Sequence, residues 1–222
     1  MSNHPPAPPA PASRIDAPTA GLAHDFNNLL LAMTACLELI EGRSSEAKIV
    51  SIARHGLDTI DRGAQLVERL LALGRSGSTD RPAPPPPVER VAVQAPSRPQ
   101  STVLVVDDDA DVRLVLVELL QSLGYRPVEA SNGPDGIAAS ERDPLPDLAI
   151  IDYALPGLNG GEVATELRAR RPELPIVIAT GHSDVQALDP RWRHLPMLHK
   201  PFRIADLAQT IASALESDHP PK

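Results

Sequence analysis

The feature that most constrains this chain is the alternation of short apolar runs with amphipathic segments in its second half. "TVLVVD", "PDLAIIDY" and "PIVIAT" are unbroken apolar stretches of strand length, and "RPVEAS" and "PMLHK" are shorter strand-like runs. Between them lie "ADVRLVLVELLQSLG", an amphipathic helix closed by Gly124, the short helix "GPDGIAAS", and the helix "GGEVATELRARR"; "RIADLAQTIASALES" follows as a last helix. A strand apolar on both faces must be covered on both faces. Strands of this kind with helices between them specify a doubly wound, five-stranded parallel sheet, and in such sheets chemistry collects at the carboxyl ends of the strands.

Those ends carry a coherent set of side chains. The first strand runs into Asp107, Asp108 and Asp109, the third ends in Asp152, the fourth in Thr180 and the fifth in Lys200, followed by Pro201. Carboxylates crowded at one edge repel one another unless a cation joins them, and an all-oxygen site suits Mg2+. A cation, an ammonium and a hydroxyl around one carboxylate also suit a transferring phosphoryl group. Asp109 is as well explained as a cap for the helix that follows it.

The first half is organised differently. The 25 prolines concentrate in "HPPAPPAPAS" and "STDRPAPPPPVERVAVQAPSRPQ", which favour extended, semi-rigid chain. They divide the sequence into a proline-rich tail (1–15), a helical module (16–76), a linker (77–100), the α/β module (101–217) and a short tail (218–222). In the helical module Leu22, Phe26, Leu29, Met33, Cys36 and Ile40 step by fours and threes, the seam of a helix packing lengthwise on others. Ile49, Ala53, Gly56, Ile60, Gly63, Val67 and Leu70 repeat that stepping after a break at "EGRSSE", beside a second line of Val50, Leu57, Ala64 and Leu71. So wide an apolar stripe exceeds what two helices bury, and a homodimer through 16–76, forming a four-helix bundle, is the expected remedy. Gly56 and Gly63 would permit close helix approach.

Composition narrows the partners. The net charge of −8, without a Lys/Arg-rich run, argues against nucleic acid, whose backbone demands a basic face. No stretch is long and apolar enough to span a bilayer. The single cysteine and an N-terminal segment without an apolar signal core make the cytoplasm the expected compartment.

Two resemblances sharpen these readings. "VLVVDDDADVR", "LAIIDYALPGLNGGE", "IVIATGH" and "HKPF" resemble, end to end, a response-regulator receiver domain. The resemblance implies that Asp152 is the phosphoacceptor and that Asp107 and Asp108 form the acidic pair, Asp108 being the direct Mg2+ ligand. It also implies that the Ala154 carbonyl is a further ligand, that Thr180 and Lys200 bind the phosphoryl group, and that Lys200–Pro201 is cis. Two departures stand out. Met197 and Leu198 occupy the neighbourhood of the family's aromatic switch residue, and "SDVQALDPRWRHLP" is poor in helical signal. Trp192 there either packs over the gap or meets a partner.

"HDFNN", from His24 to Asn28, resembles the phosphoacceptor box of the dimerisation and histidine-phosphotransfer domain of sensor kinases, hybrid kinases in particular. By that resemblance His24, standing off the apolar seam and facing solvent, carries a phosphoryl group, Asp25 orients or deprotonates its ring, and Asn28 positions a water that dephosphorylates an aspartate. No Gly-rich nucleotide loop follows, so autophosphorylation is not expected. Three roles stay open: a phosphorelay protein served in trans by a sensor histidine kinase, a non-catalytic regulator that binds or forms mixed dimers with a kinase's helical domain or competes for its receiver, and a phosphatase using Asn28.

Overall fold

The structure is a computed structural model. It describes residues 17–74, 100–181 and 189–217, with side chains described for 25–50, 53–65, 100–181 and 189–217. The two proline-rich expectations (1–15 and most of 77–100), the tail 218–222 and the His24 side chain lie outside the described residues.

Helices α1 (Ala17–Arg43) and α2 (Ala47–Gly74) come first. Ser44 separates them and its hydroxyl accepts from the Glu46 amide at 3.2 Å. The second half then runs β1 (Thr102–Val106), α3 (Ala110–Ser122), β2 (Arg126–Ala130), α4 (Gly133–Ala139), β3 (Leu148–Asp152) and α5 (Gly160–Arg170), continuing through β4 (Ile176–Gly181), a single 3-10 turn (Pro190–Trp192) and β5 (Met197–Lys200) to α6 (Ile204–Ser217). All pairings are parallel, in the order β2-β1-β3-β4-β5, as the alternating sequence pattern requires. Among the described residues no helix is long and apolar enough to cross a membrane.

Strand residues alternate strictly between two cores. Val103, Val105, Ile150, Val177 and Ala179 pack with α3 and α6 on one face. Leu104, Val106, Ala149, Ile151, Ile176 and Ile178 pack with Val163, Ala164 and Leu167 of α5 on the other. Both cores are almost entirely aliphatic, as a chain with 2% aromatic residues must make them.

The structure departs from the expected packing of α1. Leu29 is 60% exposed, and Phe26, Met33, Cys36 and Ile40 are exposed with it. The buried face is the adjacent one, through Asn27, Asn28, Leu30, Leu31, Thr34 and Ala35. Leu31 and Ala35 belong to the same core as Val115, Leu116 and Leu119 of α3 and Leu207 and Ile211 of α6. Helix α1 is apolar on more than one side, so its partner surface decides which side is buried, and the second half of the chain supplies that surface.

Of the two glycines read as helix-approach positions, Gly56 meets Leu37, whose Cδ1 would lie 2.7 Å from an added Cβ, whereas Gly63 has open space around it. A Cβ at Gly160 would instead overlap the backbone oxygen of Asp152 and lie 2.8 Å from Tyr153 Cα. Gly160→Ala is therefore expected to cost about 1–3 kcal/mol or more through overpacking against backbone. Gly63→Ala, in an open mid-helix site, is expected to stabilise by about 0.4–1 kcal/mol. Urea midpoints of the two variants, compared with the unaltered chain, check both signs.

Candidate functional site

The site is built by strand ends. Parallel pairing sets Asp152 of β3 beside Ala179 of β4, and Thr180 and Gly181 of β4 beside His199 and Lys200 of β5. Asp107 follows β1, and its amide donates to the Ala130 carbonyl at 3.2 Å. The four side chains that the sequence places at strand ends, Asp107, Asp152, Thr180 and Lys200, are all buried together at one edge.

Lys200 is the hub. Its ammonium donates to Asp107 Oδ2 at 2.9 Å and lies 3.1 Å from Asp152 Oδ1. Burial opposes the lysine's charge, but the Asp152 and Asp107 carboxylates outweigh it, so its pKa is held above the ordinary lysine value. Burial pushes the Asp107 carboxyl up to about 6; Lys200 counters this and the neighbouring Asp152 adds to it. The Asp107 side chain also accepts from the Asp109 amide at 3.0 Å. Arg113, a residue that sequence reasoning did not single out, clamps the backbone there by donating to the Asp107 carbonyl at 2.7 Å.

Asp107, Asp108 and Asp152 each offer a carboxylate oxygen, all within 4.8 Å of one another, with Asp108 on the exposed side. Neither oxygen of Asp152, although buried, receives a hydrogen bond of ordinary geometry among the described residues. Three converging carboxylates, one with oxygens left open, fit a hard divalent cation. Ala154 stands two residues beyond Asp152, exposed in the turn after β3. Thr180 Oγ1 donates to the Gly181 carbonyl at 3.2 Å, and Lys200–Pro201 is cis.

Asp109 is the N-cap of α3: its Oδ1 accepts from the Asp111 and Val112 amides at 2.9 and 3.2 Å. Its other oxygen accepts from Asn28 Nδ2 at 3.1 Å, and Lys200 donates to Asn28 Oδ1 at 3.5 Å. Helix α1 thus reaches the carboxylate cluster directly. Asp25 is exposed on the same helix.

Contacts farther along secure α1 and α2 to the second half. Glu38 accepts from the Ile204 amide at 2.8 Å, capping α6, and burial raises its pKa although that amide and Arg203 lower it. Arg203 pairs with Asp61 of α2, and Arg43 with Glu118 of α3 at 3.1 Å. These pairs join residues far apart in sequence, and no local motif signals them.

The segment expected to be poor in helix holds only the 3-10 turn Pro190–Trp192 among its described residues. Trp192 packs against Gly161 at the start of α5, where an added Cβ would lie 2.6 Å from its Cδ1, which favours the packing role over the partner contact.

A doubly wound sheet with acidic residues, a hydroxyl and a lysine at its carboxyl edge defines a phosphoryl-accepting signalling module. Comparison with known proteins names it: residues 103–212 match the response regulator receiver domain. This part of the chain belongs to that family, the receiver domains of two-component response regulators, which are phosphorylated on aspartate. It is 32% identical over 115 residues to the DNA-binding transcriptional regulator NtrC of Salmonella typhimurium, covering 51% of this chain and 24% of that protein. It is 32% identical over 123 residues to the sensor kinase CckA of Brucella abortus, covering 52% and 13%. The chain therefore spans only a minor part of either relative. A receiver domain from Clostridium thermocellum superposes with a TM-score of 0.49 at 25% identity, over 53% of this chain and 95% of that one.

Lys200 separates two buried carboxylates, and leaving buried charges unpaired costs about 3–5 kcal/mol. Lys200→Met is expected to destabilise by that order, and Asp152→Asn added to it is expected to restore part of the loss. Chemical denaturation of the single and double variants checks both.

Proposed function

We propose that Asp152 is the phosphoacceptor of a phosphorelay protein, that His24 exchanges the phosphoryl group with it, and that a sensor histidine kinase loads the chain in trans. The observation that carries this reading is the position of Asn28. It lies one helical turn after His24 and is buried between Asp109 and Lys200, so the helix that bears the "HDFNN" box is docked beside the proposed acceptor.

The transfer is a displacement in which the P–N bond to His24 breaks as the P–O bond to Asp152 forms. Lys200 and Thr180 would take the phosphoryl oxygens. Asp107, Asp108, Asp152 and the Ala154 carbonyl would hold Mg2+, which supplies neutralisation of the negative charge gathered there. Asp25 would orient or deprotonate the His24 ring. With no Gly-rich nucleotide loop in the sequence, the chain is not expected to phosphorylate itself from ATP.

The exposed line Phe26, Leu29, Met33 and Ile40 supports a homodimer of the α1–α2 hairpin as a four-helix bundle. The same surface would serve the regulator reading, in which the hairpin binds a kinase's helical domain. The burial of Asn28 at the site supports the phosphatase reading, with Asn28 orienting a water toward aspartyl phosphate. The net charge of −8 favours protein over nucleic-acid partners, and the cytoplasm is the proposed compartment.

The test uses the full chain with Mg2+ and radiolabelled acetyl phosphate, with labelled ATP in a parallel reaction. Acid-stable, base-labile label is expected on the unaltered chain and on His24→Ala, and none on Asp152→Ala. Acid-labile, base-stable label is expected to disappear in His24→Ala. If Asn28 positions water, Asn28→Ala lengthens the aspartyl-phosphate lifetime roughly tenfold or more, the lower range for a positioned catalytic group. Label from ATP alone, or label surviving Asp152→Ala with its acyl-phosphate stability unchanged, would remove the reading.

A further inference from the structure

The docked helix and the acceptor site compete for the same ammonium. Lys200 has three N–H donors, and three side-chain oxygens surround it: Asp107 Oδ2 at 2.9 Å, Asp152 Oδ1 at 3.1 Å and Asn28 Oδ1 at 3.5 Å. Asp152, Lys200 and Asn28 are 1%, 3% and 5% exposed, so the arrangement is closed. A phosphoryl group on Asp152 brings three strong acceptor oxygens and close to two negative charges. In a site this closed, one of the oxygens around Lys200 gives way to admit it. The neutral carboxamide of Asn28, longest of the three contacts, is the one a charged oxygen displaces.

We propose that α1 is a lid on the acceptor site, and that its docking and the filling of Asp152 by a phosphoryl group oppose each other. The inference rests on the reading of Asp152 as acceptor. Filling the site displaces Asn28 from Lys200 and loosens α1 from α3 and α6; loosening α1 makes the site easier to fill, because such coupling is reciprocal. The Leu31 and Ala35 packing, the Glu38 cap on Ile204 and the Arg203–Asp61 and Arg43–Glu118 pairs hold the lid from outside the site. Its closure can therefore be weakened without touching a group that meets the phosphoryl. A helical partner that approaches the α3–α6 face finds it covered until the lid lifts. Transfer from His24 to Asp152 would itself release the helix that delivered the group.

The test uses the full chain, with Mg2+ and beryllofluoride as the phosphoryl mimic. Two quantities are read: amide hydrogen exchange along α1 and α3, and the apparent affinity for beryllofluoride by calorimetry. Beryllofluoride is expected to speed exchange in 27–41 and in α3. Arg203→Glu places a third negative charge beside Asp61 and Glu38. It is expected to tighten beryllofluoride binding about three- to tenfold, the range of a disrupted interface charge pair. Adding Asp61→Arg is expected to return the affinity toward that of the unaltered chain, which a folding defect would not do. Unchanged or slowed exchange on adding beryllofluoride would overturn the proposal. So would equal affinity in the unaltered chain and in an Arg203→Glu chain whose α1 exchanges faster. If Arg203→Glu fails to fold, the exchange measurement on the unaltered chain decides alone. Absence of any beryllofluoride binding, in a chain whose Asp152 acetyl phosphate also leaves unlabelled, would remove the acceptor reading and the lid with it.

Discussion

The buried ammonium of Lys200 between Asp107 and Asp152 is the interaction around which the rest is arranged. Two carboxylates at the edge of an apolar sheet cannot both stay ionised without a counter-charge. The lysine arrives on β5, at the far side of β4 from Asp152, so the charge balance of the edge depends on the whole parallel order. Strict alternation of strand residues between two aliphatic cores keeps that order in register. The cluster is left as the polar terminus of an apolar slab.

The carboxylate edge was legible in the sequence because Asp107, Asp152 and Thr180 each directly end an unbroken apolar run, and a run apolar on both faces leaves few alternatives to a covered parallel strand. The face of α1 was not legible. Phe26, Leu29, Met33 and Ile40 keep the spacing of a packed seam, yet Leu31 and Ala35 repeat its four-residue step two positions on. Local periodicity cannot choose between two apolar stripes when the surface that decides lies more than seventy residues away. Asn28 was read for what it does to water near a histidine; its burial against Asp109 and Lys200 depends on that same distant surface. The segment before β5 was read as poor in helix because Pro190 and Pro196 interrupt it; its residues 183–188 lie outside the described residues, and a 3-10 turn is described at Pro190–Trp192.

The contacts between the two halves are of two kinds. At the centre Leu31 and Ala35 enter the core shared by α3 and α6, which supplies most of the adhesion. At the rim, charged pairs and the Glu38 cap fix register while adding little net energy in water. An interface with a modest apolar centre and a charged rim resembles those between proteins that part and rejoin more than the interior of a single domain.

Trp192 is the chain's only tryptophan, and its indole rests on Gly161, next to the glycine whose own backbone abuts the Asp152 carbonyl. The Gly160 amide also donates to the Tyr153 carbonyl at 3.0 Å, which ties the ends of the loop after Asp152 together. All indole emission from the molecule thus originates at one notch, a single mechanical link away from the carboxylate edge. The fold carries its own optical reporter, and light can follow events at that edge without a dye or an added label.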